Sequence, residues 1–94
     1  MAMATLYFLH LPGCEYCEAA MPALDAFAAK RFDIDVVKVD LTISDASELF
    51  DRITNGDQVT PTYVLHRPGR AVDVRLGGIE DLDALEAWVE EKTS

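Results

Sequence analysis

Two cysteines three positions apart, Cys14 and Cys17, are the residues of this chain whose type and spacing most directly suggest chemistry. They follow an apolar run and stand at the head of a helical pattern. The unpaired N–H groups and partial positive charge of a helix N-terminus favour the thiolate, the form that attacks a disulfide. Residues three apart share a helix face, so the second sulfur can attack a mixed disulfide formed by the first. The pair predicts two-step thiol-disulfide exchange.

The same spacing is also half of a zinc site, so a binding module is an alternative from a different class. A structural zinc ion needs four ligands, and the other candidates of that kind are His10 and His66. An iron-sulfur cluster bridged across two subunits with glutathione is a second form of this alternative. We favour the redox interpretation and predict no metal site and no bound cofactor.

Hydrophobic patterns predict the elements that position the cysteines. Residues 4–10 are almost continuously apolar, as is typical of a buried central strand. From Cys14 to about Arg31 apolar residues recur at three-and-four spacing, which predicts an amphipathic helix. Residues 34–40 then predict a second buried strand. A strand, helix and strand of these lengths indicate a parallel pair with a right-handed connection.

The remaining pattern predicts a helix, a hairpin and a last helix. These are a helix capped by Ser44 or Asp45, strands over 59–66 and 71–76 joined by the Pro68-Gly69 turn, and a helix capped by Glu80 or Asp81. We therefore expect a single α/β domain over residues 1–94.

Composition and charge restrict the class of protein. Seventeen acidic against eight basic residues give a net charge of -9, which would repel nucleic acid and anionic lipid. No segment approaches the ~20 apolar residues that span a membrane. Residues 1–11 are interpreted as a strand, not as a secretory signal. Both cysteines lie in one motif, unlike the disulfide framework of a small secreted domain, and a cytoplasmic location is expected.

Further features lie at fixed separations from the cysteine motif. Pro22 lies eight residues after Cys14, and Gly77 lies sixteen residues after Pro61. The other features are the pair Thr60-Pro61 and Lys38 in the second strand. On these features the chain resembles the thioredoxin-fold thiol-disulfide oxidoreductases over nearly its whole length. The resemblance implies the order β-α-β-α-β-β-α, with a four-stranded mixed sheet flanked by three helices.

The resemblance also implies roles for individual residues. Cys14 would be the exposed nucleophile and Cys17 the resolving thiol. A cis bond before Pro61 would set the backbone of Thr60 beside the sulfurs, where it can pair with an extended substrate chain. The full substrate-binding set implied is Tyr16, Thr60, Pro61, Gly77 and Gly78. Lys38 looks like the lysine buried beneath the active site of thioredoxins, or else is a strand lysine with its head in water.

Departures from the thioredoxin pattern point partly towards glutaredoxins. Gly13 replaces the usual tryptophan, Glu15-Tyr16 replaces Gly-Pro, and Phe8 stands where thioredoxins bury an aspartate. Thirteen residues precede Cys14, so we expect the strand and helix that open a thioredoxin to be absent. That shortness, and a tyrosine directly before the second cysteine, are similar to glutaredoxins.

The segment 77–81 is similar to the glutaredoxin segment that holds glutathione, which makes Glu80 and Asp81 candidate glutathione-binding residues. Glutaredoxins usually carry a basic residue shortly before the motif, however, and here His10 is the nearest substitute. A carboxylate at Glu15 disfavours the neighbouring thiolate, so we predict a less acidic Cys14 with a reductase-like potential.

These observations together predict a monomeric, cytoplasmic thiol-disulfide oxidoreductase that reduces protein disulfides and serves cell redox homeostasis and electron transport. Its electron donor would be glutathione or a thioredoxin reductase. A glutaredoxin acting on glutathione mixed disulfides is the close alternative, and a metal or iron-sulfur binding module the more distant one.

Overall fold

The computed structural model describes residues 3–54 and 59–93. Seven elements follow one another: β1 (Ala4–His10), α1 (Glu15–Lys30), β2 (Ile34–Asp40), α2 (Ser44–Thr54), β3 (Thr62–His66), β4 (Asp73–Leu76) and α3 (Leu82–Thr93). Their order is the one that the sequence predicted. No helix in these two ranges has both the length and the hydrophobicity that crossing a membrane requires.

The four strands form one mixed sheet in the order β2-β1-β3-β4. β1 runs parallel to β2, with Ala4 opposite Ile34 and His10 opposite Asp40. β3 runs antiparallel to both β1 and β4. β1 therefore lies inside the sheet, as its continuous apolar sequence predicted, and Leu6 is fully buried.

Successive residues of β1 alternate between two cores, because strand side chains point to opposite faces. Leu6 and Phe8 pack with residues of α1 and α3, whereas Tyr7 and Leu9 pack with residues of α2. The larger core lies on the α1 and α3 face. Helices thus cover both faces, and this holds the carboxyl end of β1 and the start of α1 in fixed positions.

The hairpin of β3 and β4 turns as predicted, although both strands are shorter than expected. The amide of Arg70 donates to the carbonyl of Arg67 across the turn (3.1 Å), and Gly69 has a φ of +76°. Proline followed by a glycine of positive φ is the pattern of a type II turn. β3 begins at Thr62, not at residue 59, because the preceding residues turn towards the cysteines.

The prediction of a buried second strand is wrong. β2 forms an edge of the sheet, and of its seven residues only Ile34 is buried. An edge strand is flanked by a neighbour on one side alone, so its valines stay partly exposed although the sequence is apolar. The bounds predicted for this strand are nevertheless correct.

Candidate active site

The loop between β1 and α1 sets Cys14 at the start of the helix. Gly13 has a φ of +75°, a conformation that side chains rarely adopt, and it reverses the chain before Cys14. Cys14 is the N-cap of α1, and its Sγ accepts a hydrogen bond from the backbone N–H of Cys17 at 3.1 Å. A sulfur in this position receives the field of the helix N-terminus.

The two sulfurs differ in exposure. Cys14 is partly exposed, whereas Cys17, one turn into α1, is only 2% exposed. Their Cα atoms are 5.2 Å apart, and a disulfide joins the two side chains. An incoming thiol or disulfide can reach Cys14, while Cys17 can reach only Cys14. The resemblance implied an exposed Cys14, and the roles of the two sulfurs in exchange stay a prediction.

Thr60 lies directly against Cys14. The Cys14 Sγ is 3.6 Å from Thr60 Oγ1 and 3.8 Å from the Thr60 carbonyl oxygen. The Thr60-Pro61 peptide bond is cis, which confirms the conformation that the resemblance implied. Residues 46 positions apart in the sequence therefore form one site.

Gly77 and Gly78 complete the same surface. The amide of Gly77 donates to the carbonyl of Pro61 at 2.9 Å. A Cβ added to Gly78 would lie 3.2 Å from the carbonyl oxygen of Tyr16 and 3.5 Å from Pro61 Cγ, so a hydrogen at this position allows the close approach. The structure thus brings together the predicted substrate-binding residues, and their role in binding stays a prediction.

A hydrogen bond that the sequence analysis missed ties this surface to the core. The hydroxyl of Tyr63 accepts from the backbone N–H of Ile79 at 3.1 Å, and both residues are buried. Burial raises the pKa of the Tyr63 phenol, so the hydroxyl stays protonated. A tyrosine in a predicted strand, two residues after Pro61, was the available signal, but its partner could not be read from the sequence.

Acidic side chains surround the site. Glu15 and Glu18 are exposed in the first turn of α1, where negative charge also complements the helix dipole. Glu80 and Asp81 are exposed just before α3, and Asp81 Oδ1 accepts from the amide of Asp83 (3.2 Å). Asp81 therefore caps α3 and is one of the two caps, Glu80 or Asp81, that the sequence predicted.

Lys38 is not the buried lysine that the resemblance implied. Its side chain is 44% exposed, and its Nζ forms an ion pair with Asp25 of α1 at 2.8 Å. Lys38 belongs to the edge strand β2, which leaves room for the ammonium group at the surface. The structure supports the second interpretation, a strand lysine with its head in water.

Two cavities lie on the α2 face of the sheet. One of about 140 Å³ adjoins the site and is lined by Leu11, Leu41, Ser47, Phe50 and Thr60. The other, of about 280 Å³, is lined mostly by apolar side chains of the sheet and α2, among them Leu9 and Phe50. Within residues 3–54 and 59–93, no group of three or more His, Cys, Asp or Glu side chains could hold a metal ion.

Comparison with known proteins gives a clear result for the backbone. Neither the family models nor the curated proteins compared with the sequence match it. Among solved structures, mitochondrial thioredoxin 3 of Saccharomyces cerevisiae superimposes with a TM-score of 0.73 at 21% identity, over 97% of this chain and 80% of that one. Chlamydomonas reinhardtii thioredoxin f2 superimposes with a TM-score of 0.77 at 23% identity, over 98% of this chain and 81% of that one. This chain has the thioredoxin fold.

Oxidised thioredoxin of Plasmodium falciparum gives the same result, with a TM-score of 0.75 at 19% identity over 99% of this chain. In this thioredoxin fold, Cys14 marks the junction of the first described strand and the first helix, and Thr60 precedes the third strand. The likeness establishes the fold predicted from the sequence.

Proposed function

We propose that this protein is a thiol-disulfide oxidoreductase that reduces protein disulfides by dithiol exchange. One observation carries the proposal: a partly exposed Cys14 at a helix N-terminus is joined by a disulfide to a buried Cys17 one turn further in. Such a pair can pass between disulfide and dithiol while the surrounding fold stays in place.

The reaction proceeds in two exchanges. The Cys14 thiolate attacks one sulfur of the substrate disulfide, that S–S bond breaks, and the released thiolate takes a proton from water. Cys17 then loses its proton and attacks Cys14, which releases the second substrate thiol. The substrate gains two electrons and two protons, and the protein is left with the Cys14-Cys17 disulfide.

The surroundings of Cys14 favour the thiolate and oppose it at the same time. The amide of Cys17 donates to the sulfur, and the Thr60 hydroxyl is within reach to do so. Hydrogen bonds to the sulfur favour a thiolate, whereas a neighbouring carboxylate such as Glu15 disfavours it. We expect a thiol less acidic than in strongly oxidising members of this fold, and a reducing function follows from that.

Restoring the dithiol requires an electron donor, for which a thioredoxin reductase and glutathione are the two candidates. We expect no resident cofactor, a monomer located in the cytoplasm, and disulfide-containing proteins as partners. The net charge of -9 argues against nucleic acid and anionic membranes as partners.

A glutaredoxin that acts on glutathione mixed disulfides is the second candidate. The observation that favours it is the close approach of Gly78 to Tyr16 and Pro61, since the candidate glutathione-binding residues Glu80 and Asp81 follow Gly78 by two and three positions. The absence of a basic residue between His10 and Cys14 weighs against it, because glutathione is an anion.

Turnover with separate donors tests the proposal and separates the two candidates. The oxidised protein is supplied with NADPH and thioredoxin reductase, or with glutathione, and insulin serves as the disulfide substrate. We expect turnover by the native chain, none by Cys14→Ser, and little by Cys17→Ser. A Cys17→Ser variant that reduces a glutathione mixed disulfide at the native rate would favour the glutaredoxin. If neither donor reduces the Cys14-Cys17 disulfide, the proposal is wrong.

A further inference from the structure

The surface around Cys14 has an exposed apolar centre. Leu11, Tyr16 and Val59 are 39%, 72% and 43% exposed. The carbonyl of Leu11 accepts from the amide of Cys14, and Val59 directly precedes Thr60, which contacts the Cys14 sulfur. Tyr16 follows Cys14 by two residues in the first turn of α1. Apolar side chains this exposed beside a nucleophile are positioned to contact the residues that flank a substrate disulfide.

An acidic rim surrounds this centre. Glu15 and Glu18 lie on the α1 side, while Glu80 and Asp81 follow the Gly78 contact with Tyr16. All four are exposed, and none forms an ion pair within the part of the chain that the structure describes. Their charge is therefore available to an incoming molecule.

Four of the eight basic residues form ion pairs elsewhere in the part of the chain that the structure describes. Lys30 pairs with Glu86 and Arg31 with Asp33 at the far end of α1, Lys38 pairs with Asp25, and Lys92 pairs with Glu91. Arg75 forms no ion pair within the part of the chain that the structure describes, and it lies on edge strand β4 opposite Tyr63, two residues before Gly77. The four carboxylates of the rim outnumber this cation, which makes the surface negative.

The cavity of about 140 Å³ beside Thr60 gives the same surface room for a side chain. A mostly apolar cavity of about 150 Å³ can hold a benzene molecule, so this one is large enough for one apolar side chain. The occupant we expect is a polypeptide, because a residue that flanks a peptide disulfide can supply such a side chain.

We propose that the surface around Cys14 selects polypeptide disulfides flanked by basic residues and disfavours those flanked by acidic ones. This inference rests on the proposed function and names the substrate class of the same site. The chemical step is unchanged: Cys14 breaks the substrate S–S bond and Cys17 releases the second thiol. Attraction between the rim and the flanking cations raises the rate of encounter, an effect that ranges from about 10-fold to 10³-fold in proteins.

Matched peptide disulfides test the charge preference. The substrates are disulfide-linked dimers of a short acetylated and amidated peptide that contains leucine and cysteine. Three versions of the peptide also carry two lysines, two glutamines or two glutamates. The second-order rate constant for release of the peptide thiol by the reduced protein is divided by the rate constant for the same peptide with 2-mercaptoethanol, which corrects for differences in intrinsic reactivity between the peptides. At low salt we expect the lysine peptide to react about tenfold faster than the glutamate peptide. At about 1 M salt, where the Debye length is about 3 Å, this ratio should approach one.

Matched variants assign the preference to the rim. Glu15→Gln/Glu18→Gln should lower the lysine-to-glutamate ratio at least twofold. The control Asp35→Asn/Asp73→Asn makes the same change in net charge at the starts of β2 and β4, the opposite end of the sheet, and should leave the ratio unchanged. Because the ratio compares peptides on one protein, a change in Cys14 reactivity cancels.

The outcomes separate this inference from the proposed function. If all three peptides are reduced at equal normalised rates, or the glutamate peptide is fastest, the charge selection is refuted and the reductase stands. A ratio that both pairs of variants lower equally would refute the assignment to the rim. If no peptide disulfide is reduced, the proposed function itself fails, and the inference fails with it.

Discussion

Replacing Tyr63 by phenylalanine tests how the core supports the candidate site. Tyr63 is fully buried, and its hydroxyl accepts from the amide of Ile79, which is 3% exposed. Tyr63→Phe removes one oxygen and leaves the ring contacts with Phe8 (5.2 Å) and Trp88 (6.3 Å) in place. The change therefore isolates a single buried hydrogen bond.

The magnitude follows from the partner that is left behind. The Ile79 N–H would remain buried without an acceptor, and an unpaired buried polar group costs about 1–3 kcal/mol. In a domain of this size each 1 kcal/mol lowers Tm by about 4–8 °C. Because Ile79 follows Gly78 directly, we also expect the predicted substrate-binding residues Gly77 and Gly78 to be held less firmly. KM for a protein disulfide should therefore rise more than kcat falls.

Urea unfolding followed by Trp88 fluorescence measures this loss, since Trp88 is 8% exposed in the fold and becomes exposed on unfolding. Tyr7→Phe is the matched control: Tyr7 is a partly buried strand tyrosine whose hydroxyl has no hydrogen bond within residues 3–54 and 59–93. We expect it to cost less than about 0.5 kcal/mol. Equal stability of Tyr63→Phe and the native chain, at an unchanged m-value, would refute the reasoning.

Three further predictions concern the site and its supports. Gly78→Ala brings a Cβ to 3.2 Å from the carbonyl oxygen of Tyr16, so it should lower the free energy of unfolding by about 1–3 kcal/mol and slow insulin reduction. A variant with the stability and kinetics of the native chain would contradict the close packing at Gly78. Lys38→Ala loses only a surface ion pair, so the free energy of unfolding should change by less than about 1 kcal/mol. The thiol titration curve of Cys14 should not shift, and a shift would indicate that Lys38 does influence the site. The backbone N–H of Thr42, and then its hydroxyl, hold the pKa of Asp40 below its usual value. The stability that Asp40 provides is present above the ordinary aspartate pKa of about 4 and is lost as pH falls through the lower folded value. Asp40→Asn should therefore reduce the fall in the free energy of unfolding at low pH, as measured by urea unfolding at a series of pH values. An unchanged fall would count against the two hydrogen bonds from Thr42 to Asp40.

The local pattern was enough to predict much of the fold. β1 and β2 have the predicted bounds, because a run of apolar residues ended by proline, glycine or aspartate is a signal within the sequence itself. The position of Cys14 at a helix start was likewise predictable from the change in hydrophobic period. The proximity of Thr60 to Cys14 was not, since it came only from the resemblance.

The errors arise where burial depends on neighbours that are distant in sequence. The apolar residues of β2 look like a buried strand, but sheet order makes β2 an edge, and Lys38 therefore reaches solvent and Asp25. The bond from Ile79 to Tyr63 joins residues of two different segments. No periodicity marks such a pair, because its geometry is set only once the hairpin and α1 have packed together.

The central step of the proposed function is the transfer of two electrons from the Cys14 and Cys17 thiols to a protein disulfide. The decisive measurement is a stoichiometric exchange with no electron donor: fully reduced protein is mixed with insulin and both products are analysed by mass spectrometry. We expect each oxidised molecule to carry a Cys14-Cys17 disulfide and to have released two insulin thiols, and Cys17→Ser to stop at a mixed disulfide on Cys14. Reduced protein that leaves insulin intact, or a Cys14→Ser variant that reduces it equally well, would show that the proposed function is wrong.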